Sequence, residues 1–311
     1  MRRYFDTDQH ITPPPTFYDR FIPSKFKDVS PRVVTLEDGS QAWSFDGGNI
    51  LHQFGLENSG GDNPVGYSWA AHYDQLHPSF YDAKERIKAM DRDGVEVMLL
   101  FASTIGAAAG TRDDELYEAT FTAYNSAVIE WAAEGDARRI LPAAIIPVRG
   151  MDMALRELKR VHELGFRHLT AVLSPSKAGR PVAADEPFWD KVEEYGLVVS
   201  MHGGAVGPGV PPLPRNGPAK AAPPVRDQEM IAAGRAAALG VQNSLGLYAL
   251  TGLLERHPGL KLALIETSAG WLPSYLEQLD ALYLRSRPLM AQDQQLKMLP
   301  SEYLSRIKIS I

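Results

Sequence analysis

The chain has 311 residues, a formal net charge of −6, and apolar and charged contents of 44% and 23%, values typical of a folded globular protein. Mild acidity without a basic block argues against a nucleic-acid partner, because phosphate binding requires clustered Lys and Arg. The sequence contains no cysteine, which excludes disulfides, thiolate metal ligands and a cysteine nucleophile. The first residues show no signal-peptide pattern, so the expected location is the cytoplasm.

Strand and helix patterns alternate along most of the chain. Helices are predicted over residues 82–92, 113–133, 152–164 with Asp152 as N-cap, 187–195, 229–255 as two helices, and 272–284. Strands of this alternation are predicted over residues 4–10, 95–101, 140–146, 168–173, 197–202, 261–266 and 307–311. Most of these strands are continuous apolar runs, which is typical of parallel strands buried on both faces. The uncharged stretch 236–254 has polar residues at its middle, so we expect a buried helix rather than a membrane span.

Two segments, 11–81 and 203–228, interrupt this alternation and are rich in proline or glycine. The first contains a predicted β-hairpin, with strands over 32–36 and 41–45 around a turn-forming Asp-Gly pair. A long segment without a long helix inside a compact domain is typically functional or covers a site. We therefore expect both insertions to form walls or a lid over one face of the domain.

Repeated βα units with buried strands form either an open doubly wound sheet or a (β/α)₈ barrel. The sequence has no Gly-x-Gly-x-x-Gly after a strand and no Gly-Lys-Ser/Thr phosphate loop, so a nucleotide-binding doubly wound sheet lacks support. We predict an α/β fold of the (β/α)₈ TIM-barrel type, as a single domain over residues 1–311 with both insertions over its C-terminal face. Seven strands are found and the eighth is missing, so we expect the natural chain to continue past Ile311.

In parallel α/β barrels the active site lies at the carboxyl ends of the strands. The first predicted strand ends with Asp8-Gln9-His10. Residues i and i+2 of a strand point to the same face, roughly 6.6 Å apart, and a carboxylate with an imidazole suits Zn²⁺, Mn²⁺ or Fe²⁺. For an isolated Asp-x-His pair, a polar strand end with a solvated Asp is the more common explanation.

Two further strands end in residues that can carry chemistry. The strand at 197–202 ends with His202 before two glycines, and the strand at 261–266 ends with Glu266. A lone His there is more often a packing residue, but the glycines allow a substrate to approach closely. A carboxylate after an apolar strand is costly unless it is paired, hydrogen-bonded or near a metal-bound water. A salt bridge from Glu266 to an Arg or Lys of a neighbouring loop is the structural alternative.

The order of these features resembles the amidohydrolase-related branch of the amidohydrolase superfamily. Its members include aminocarboxymuconate-semialdehyde decarboxylase and the resorcylate-type decarboxylases. The resemblance rests on the run from Asp6 to Pro14, on His202, and on the run from Arg256 to Pro273, which contains Glu266-Thr-Ser-Ala-Gly-Trp. It spans the whole chain, although residues 35–80 contribute little to it.

The resemblance implies that Asp8, His10 and His202 bind one divalent metal ion, Zn²⁺ or Mn²⁺. Asp8 replaces the His or Glu of better-known relatives. Glu266 falls where several decarboxylase relatives have a His near the metal-bound water. The family's remaining ligand is an Asp at the end of the eighth strand, which we expect beyond Ile311. The resemblance also implies a homodimer.

Our leading hypothesis is non-oxidative decarboxylation of a small aromatic or unsaturated carboxylic acid, with Glu266 as the catalytic acid–base. That role requires that burial raise the pKa of Glu266 toward neutrality. Hydrolysis of a C–C, C–N or ester bond, with Glu266 as general base, is the alternative. A non-catalytic binding protein is the third hypothesis, which applies if the fourth ligand is truly absent. Neither a nucleic acid nor a membrane is expected as a partner.

Overall fold

The computed structural model describes residues 3–53, 72–102, 105–170, 172, 174–202, 227–305 and 307–309. These residues divide into two compact units, one up to Ile145 and the other from Ile146. Three parallel strands lie in the first unit and four in the second, so all seven strands of the predicted alternation are present. The prediction of an eighth strand is not tested by the described residues, and assignment of the chain to a single domain stays a prediction.

The first unit contains three parallel strands with helices between them and a separate antiparallel sheet. Its strands are β1 (Tyr4–Ile11), β2 (Arg32–Thr35), β3 (Gln41–Phe45), β4 (Ile50–Gln53), β5 (Val95–Ala102) and β6 (Ile140–Ala144). Its helices are α1 (Ala83–Asp93) and α2 (Asp114–Gly135). The parallel strands lie in the order β1–β5–β6, so the carboxyl ends of these strands share one edge.

Capping residues explain where the two helices of the first unit begin and where α1 ends. The Asp82 side chain accepts hydrogen bonds from two backbone N–H groups at the start of α1, and Asp113 does the same for α2. Gly94, with φ of 78°, ends α1 in the left-handed conformation and leads directly into β5. Phe121, Tyr124, Val128 and Trp131, spaced three or four residues apart on α2, are buried. The Trp131 indole N–H donates to the Tyr81 carbonyl at 2.8 Å.

The insertion after β1 contains an antiparallel sheet of three strands in the order β2–β3–β4. The predicted hairpin is confirmed as β2 and β3, and β4 was not predicted. Trp43 on β3 is fully buried and meets the Tyr18 ring edge-on at 5.7 Å, which anchors the sheet to the Pro-rich start of the insertion. Residues 54–71 of this insertion lie outside the described residues.

The second unit continues the alternation. Its strands are β7 (His168–Thr170), β8 (Val198–His202), β9 (Lys261–Ile265) and β10 (Lys308–Ile309). Its helices are α3 (Met151–Glu163), α4 (Glu186–Glu194), α5 (Asp227–Leu250), α6 (Leu253–Arg256), α7 (Leu272–Ser286) and α8 (Pro300–Leu304). The strands are parallel and lie in the order β7–β8–β9–β10, as expected for consecutive right-handed βα units.

One helix start in the second unit was predicted wrongly. The N-cap of α3 is Gly150 rather than Asp152, because the helix already begins at Met151. Asp152 instead lies in the first turn, where its negative charge interacts favourably with the helix dipole.

The predicted pair of helices over 229–255 is confirmed as α5 and α6. Of the second predicted insertion, residues 203–226 lie outside the described part of the chain, and 227 and 228 already belong to α5. Among the described helices, none is both long enough and apolar enough to cross a membrane.

Candidate active site

The carboxyl end of β1 carries two of the predicted metal ligands. Asp8 Oδ1 and His10 Nε2 lie 3.5 Å apart, with 29% and 36% of their side chains exposed. The two side chains therefore lie side by side. The Phe101 ring, at the carboxyl end of β5, lies 6.3 Å from the His10 ring. This end of the first unit presents a carboxylate and an imidazole beside one another.

The second unit brings together the other two predicted site residues. His202 is the last residue of β8 and is buried, and it pairs in register with Ile265 at the end of β9. Glu266 follows immediately, and its Oε2 lies 3.7 Å from His202 Nδ1. This contact joins Glu266 to an imidazole, and the salt bridge with an Arg or Lys stays a prediction.

The prediction that Glu266 is buried is wrong, since 59% of its side chain is exposed. The backbone explains the difference. Glu266 and Ser268 have φ values of 52° and 56°, so the chain leaves the direction of β9 at Glu266 and turns its side chain away from the apolar interior. Such left-handed conformations are unfavourable for residues other than glycine, and they concentrate at functional sites.

The turn after β9 is held by Trp271, whose indole N–H donates to the Thr267 carbonyl at 2.7 Å. Thr267 is buried, and the Trp271 ring meets the Tyr275 ring edge-on at 5.4 Å. The Thr-Ser-Ala-Gly-Trp run that carried the family resemblance therefore has a physical role: it fixes a strained turn that exposes Glu266.

Sequence reasoning missed Arg86, a deeply buried cation that contacts the carboxyl end of β1. Arg86 is 5% exposed and donates to the backbone carbonyl of His10 at 2.8 Å and to Gln9 Oε1 at 2.9 Å. Burial lowers the pKa of Arg86 from 12.5 to about 10, against the opposing attraction of Asp6, so the guanidinium stays charged at neutral pH. The available signal was its place on the buried stripe of α1, three residues after Ala83 and four before Met90.

Comparison with known proteins identifies the family of this chain. Residues 5–292 match the family model Amidohydro_2, described as amidohydrolase. No curated protein matches the chain in sequence. An amidohydrolase from Mycobacterium avium subsp. paratuberculosis is similar in structure, with 17% identity over 99% of this chain and 82% of that chain and a TM-score of 0.71.

Two decarboxylases are also similar in structure. The dihydroxybenzoic acid decarboxylase of Polaromonas sp., with bound manganese and the inhibitor 2-nitroresorcinol, has 18% identity over 99% of this chain and 78% of that chain, with a TM-score of 0.57. The 5-carboxyvanillate decarboxylase of Novosphingobium aromaticivorans, complexed with manganese and 4-hydroxy-3-methoxy-5-nitrobenzoic acid, has 15% identity over 99% and 78%, with a TM-score of 0.61.

These similarities at low identity establish the α/β fold, and the family match covers nearly the whole length of the chain. The chain therefore belongs to the amidohydrolase family, and it is an enzyme of that family.

Proposed function

We propose that the protein is a metal-dependent decarboxylase of a small aromatic or unsaturated carboxylic acid, and that Asp8, His10 and His202 bind its metal ion. The observation that carries the proposal is the placement of two pairs of groups, Asp8 with His10 and His202 with Glu266, at the carboxyl ends of parallel strands. In (β/α)₈ enzymes these strand ends form the active site. Closure into a full eight-stranded barrel is part of the proposal.

The donor set fits a divalent ion. One carboxylate and two imidazoles match the preferences of Zn²⁺ and Mn²⁺, and manganese in the two similar decarboxylases supports Mn²⁺. The close approach of Asp8 and His10, 3.5 Å between Oδ1 and Nε2, lets both reach one ion without a change of backbone. When bound, the ion supplies stabilisation of negative charge on substrate oxygens.

In this proposal Glu266 passes a proton from solvent to the carbon that loses its carboxylate, a role that rests on the exposure of Glu266 in place of the burial expected from the sequence. The bond between the reacting carbon and the carboxylate breaks, its electron pair stays on that carbon, and the proton of the Glu266 carboxyl forms the new C–H bond while CO₂ leaves. Exposure of 59% of the side chain allows Glu266 to take up a replacement proton from solvent. His202 Nδ1 lies 3.7 Å from the Glu266 carboxyl group, so Glu266 lies directly beside a proposed metal ligand.

Hydrolysis of a C–C, C–N or ester bond is the second candidate. The exposed position of Glu266 next to an imidazole favours it, because a solvated carboxylate suits a general base that takes a proton from an attacking water. The description of the family model is amidohydrolase, which agrees with this chemistry as well.

A substrate screen separates the two reactions. Protein loaded with Mn²⁺ is incubated with hydroxylated benzoic acids and, separately, with amides, esters and lactones. Release of CO₂ with one equivalent of decarboxylated product, lost in metal-free protein, supports the decarboxylase. Metal-dependent release of a carboxylic acid from an ester or amide, without release of CO₂, supports the hydrolase instead of the decarboxylase. The homodimer and the cytoplasmic location stay predictions.

A further inference from the structure

The strand that carries Asp8 and His10 is irregular between Asp6 and Gln9. In the pairing of β1 with β5, Asp6 lies opposite Met98 and Gln9 lies opposite Leu100. Three steps along β1 therefore correspond to two along β5, so β1 has one extra residue at positions 7–8. Such a β-bulge bends a strand and redirects its side chains. Asp8 is thus presented by a bulge rather than by a regular strand.

The bulge is held by a chain of hydrogen bonds that ends on His10. The backbone N–H of Asp8 donates to Asp6 Oδ1 at 3.1 Å, and Gln9 Nε2 donates to Asp6 Oδ2 at 2.6 Å. Arg86 then donates through Nη1 to Gln9 Oε1 at 2.9 Å and through Nη2 to the His10 carbonyl at 2.8 Å. The backbone is therefore fixed on both sides of the Asp8 side chain.

Arg86 is itself held in one orientation. Its Nε donates to the Ser79 carbonyl at 2.5 Å, and it stacks near the Phe80 ring, 5.7 Å from the ring centroid. A buried guanidinium is costly unless its N–H groups are satisfied, and here all three nitrogens have acceptors. None of these contacts takes part in the proposed chemistry, so the reaction does not account for a buried charge at this place.

We infer that Asp6, Gln9 and Arg86 form a brace that positions Asp8 and His10 for metal binding. The brace residues touch no substrate and act through the backbone of β1. The inference rests on the proposed function, because it assigns these residues a role in the affinity of that metal site. Residues that orient metal ligands typically change metal affinity by about 10–100-fold when they are replaced.

Two variants test the brace. Gln9→Met removes both hydrogen bonds of the Gln9 side chain, and Arg86→Met removes all those of the guanidinium. The three brace residues line a cavity of about 190 Å³, which leaves room for a methionine at either position. Arg139→Met is the matched control, since Arg139 also donates to two backbone carbonyls, those of Val95 and Glu96 at 2.9 Å, but at the opposite end of β5.

The first readout is the Kd for Mn²⁺, measured by titration of metal-free protein. We expect it to rise about 10–100-fold in Gln9→Met and Arg86→Met and to stay unchanged in Arg139→Met. The second readout needs no metal. Hydrogen exchange at the Asp8 amide should become about tenfold faster in the two brace variants, because each removes a hydrogen bond that holds Gln9 or Asp6, the acceptor of that amide, in place.

Gln9→Met is the decisive variant, because it leaves the buried guanidinium in place and should fold even if Arg86→Met does not. Folded Gln9→Met with the wild-type Kd and wild-type exchange at Asp8 would overturn the brace while the proposed function stands. A wild-type protein that binds no Mn²⁺ would instead refute the proposed function, and the inference would fail with it.

Discussion

At the scale of single residues, the turn after β9 determines what Glu266 can do. Its positive φ of 52° and that of Ser268, 56°, place the carboxylate outside the apolar strand and beside His202. Strain of this kind costs about 1–3 kcal/mol per residue and persists because the Trp271 indole holds the turn through Thr267. A carboxylate without a functional role would not require these left-handed backbone conformations.

Replacing this carboxylate should affect turnover and not metal binding. Glu266→Gln keeps the shape of the side chain and removes its titratable proton, so we expect kcat to fall by about 10²–10⁴-fold while metal content is unchanged. Steady-state kinetics and metal analysis of the purified variant measure both. Glu163→Gln is the control, since Glu163 is exposed to a similar extent, 61%, and pairs with Lys159 on the same helix. Equal turnover in the two variants would contradict a catalytic role of Glu266 and indicate a structural one.

At the scale of elements, the sequence predicted the parallel strands and most helices because their apolar patterns are long and strongly periodic. It did not predict β4, whose short segment lacks a marked alternation, and its pairing depends on contacts with β3. The bulge in β1 was likewise hidden, since it depends on the register against β5. Asp8, His10, His202 and Glu266 stood out because each is a polar residue at the end of a strand.

Close packing of α5 on α7 depends on Gly246. A Cβ atom at this position would overlap the Tyr275 hydroxyl, which donates to the Gln242 carbonyl at 2.6 Å. Gly246→Ala should therefore destabilise the protein by about 1–2 kcal/mol, although alanine is the better helix former. In a Tyr275→Phe background the overlap is gone, and the same change should stabilise by about 0.5–1 kcal/mol. Urea denaturation of the four proteins measures the difference; stabilisation in both backgrounds would contradict the packing.

Helix α4 is joined to the start of β9 by a buried imidazole between two carboxylates. His257 is 3% exposed, and its Nε2 and Nδ1 lie 3.0 Å from Glu186 Oε2 and 3.1 Å from Glu193 Oε2. Burial raises the pKa of Glu186, but its hydrogen bonds and charge interactions with Arg256 and His257 outweigh this, and the net pKa lies below the usual 4.5. The folded-state pKa is thus depressed, so this carboxylate stabilises the fold above about pH 4.5 and loses that contribution as pH falls through its folded pKa.

The sign of this linkage gives a test. Glu186→Gln should lower the free energy of unfolding at pH 7 by about 1–3 kcal/mol, because Arg256 and His257 lose a charged acceptor. The difference from wild type should shrink as the pH falls below about 4.5. Glu194→Gln, on the same helix and paired with Lys191 at the surface, should change stability little. A constant difference between Glu186→Gln and wild type from pH 7 to pH 3.5 would contradict the assigned pKa shift.

At the scale of the whole molecule, the family could be inferred from a few short runs of residues, and the match over residues 5–292 bears this out. The substrate could not, since specificity in such enzymes depends on the loops at the strand ends. An Asp at the end of an eighth strand, and the homodimer, stay predictions of the family resemblance.

The central claim, that Asp8, His10 and His202 hold a divalent ion, is tested most directly by calorimetric titration of metal-free protein with Mn²⁺. We expect one ion per chain for the wild type and no measurable binding in His202→Ala, because three protein ligands become two. His162→Ala, which removes a histidine stacked on Tyr195 at 3.9 Å, should bind as the wild type does. Binding of Mn²⁺ to His202→Ala with the wild-type Kd and stoichiometry would contradict the account.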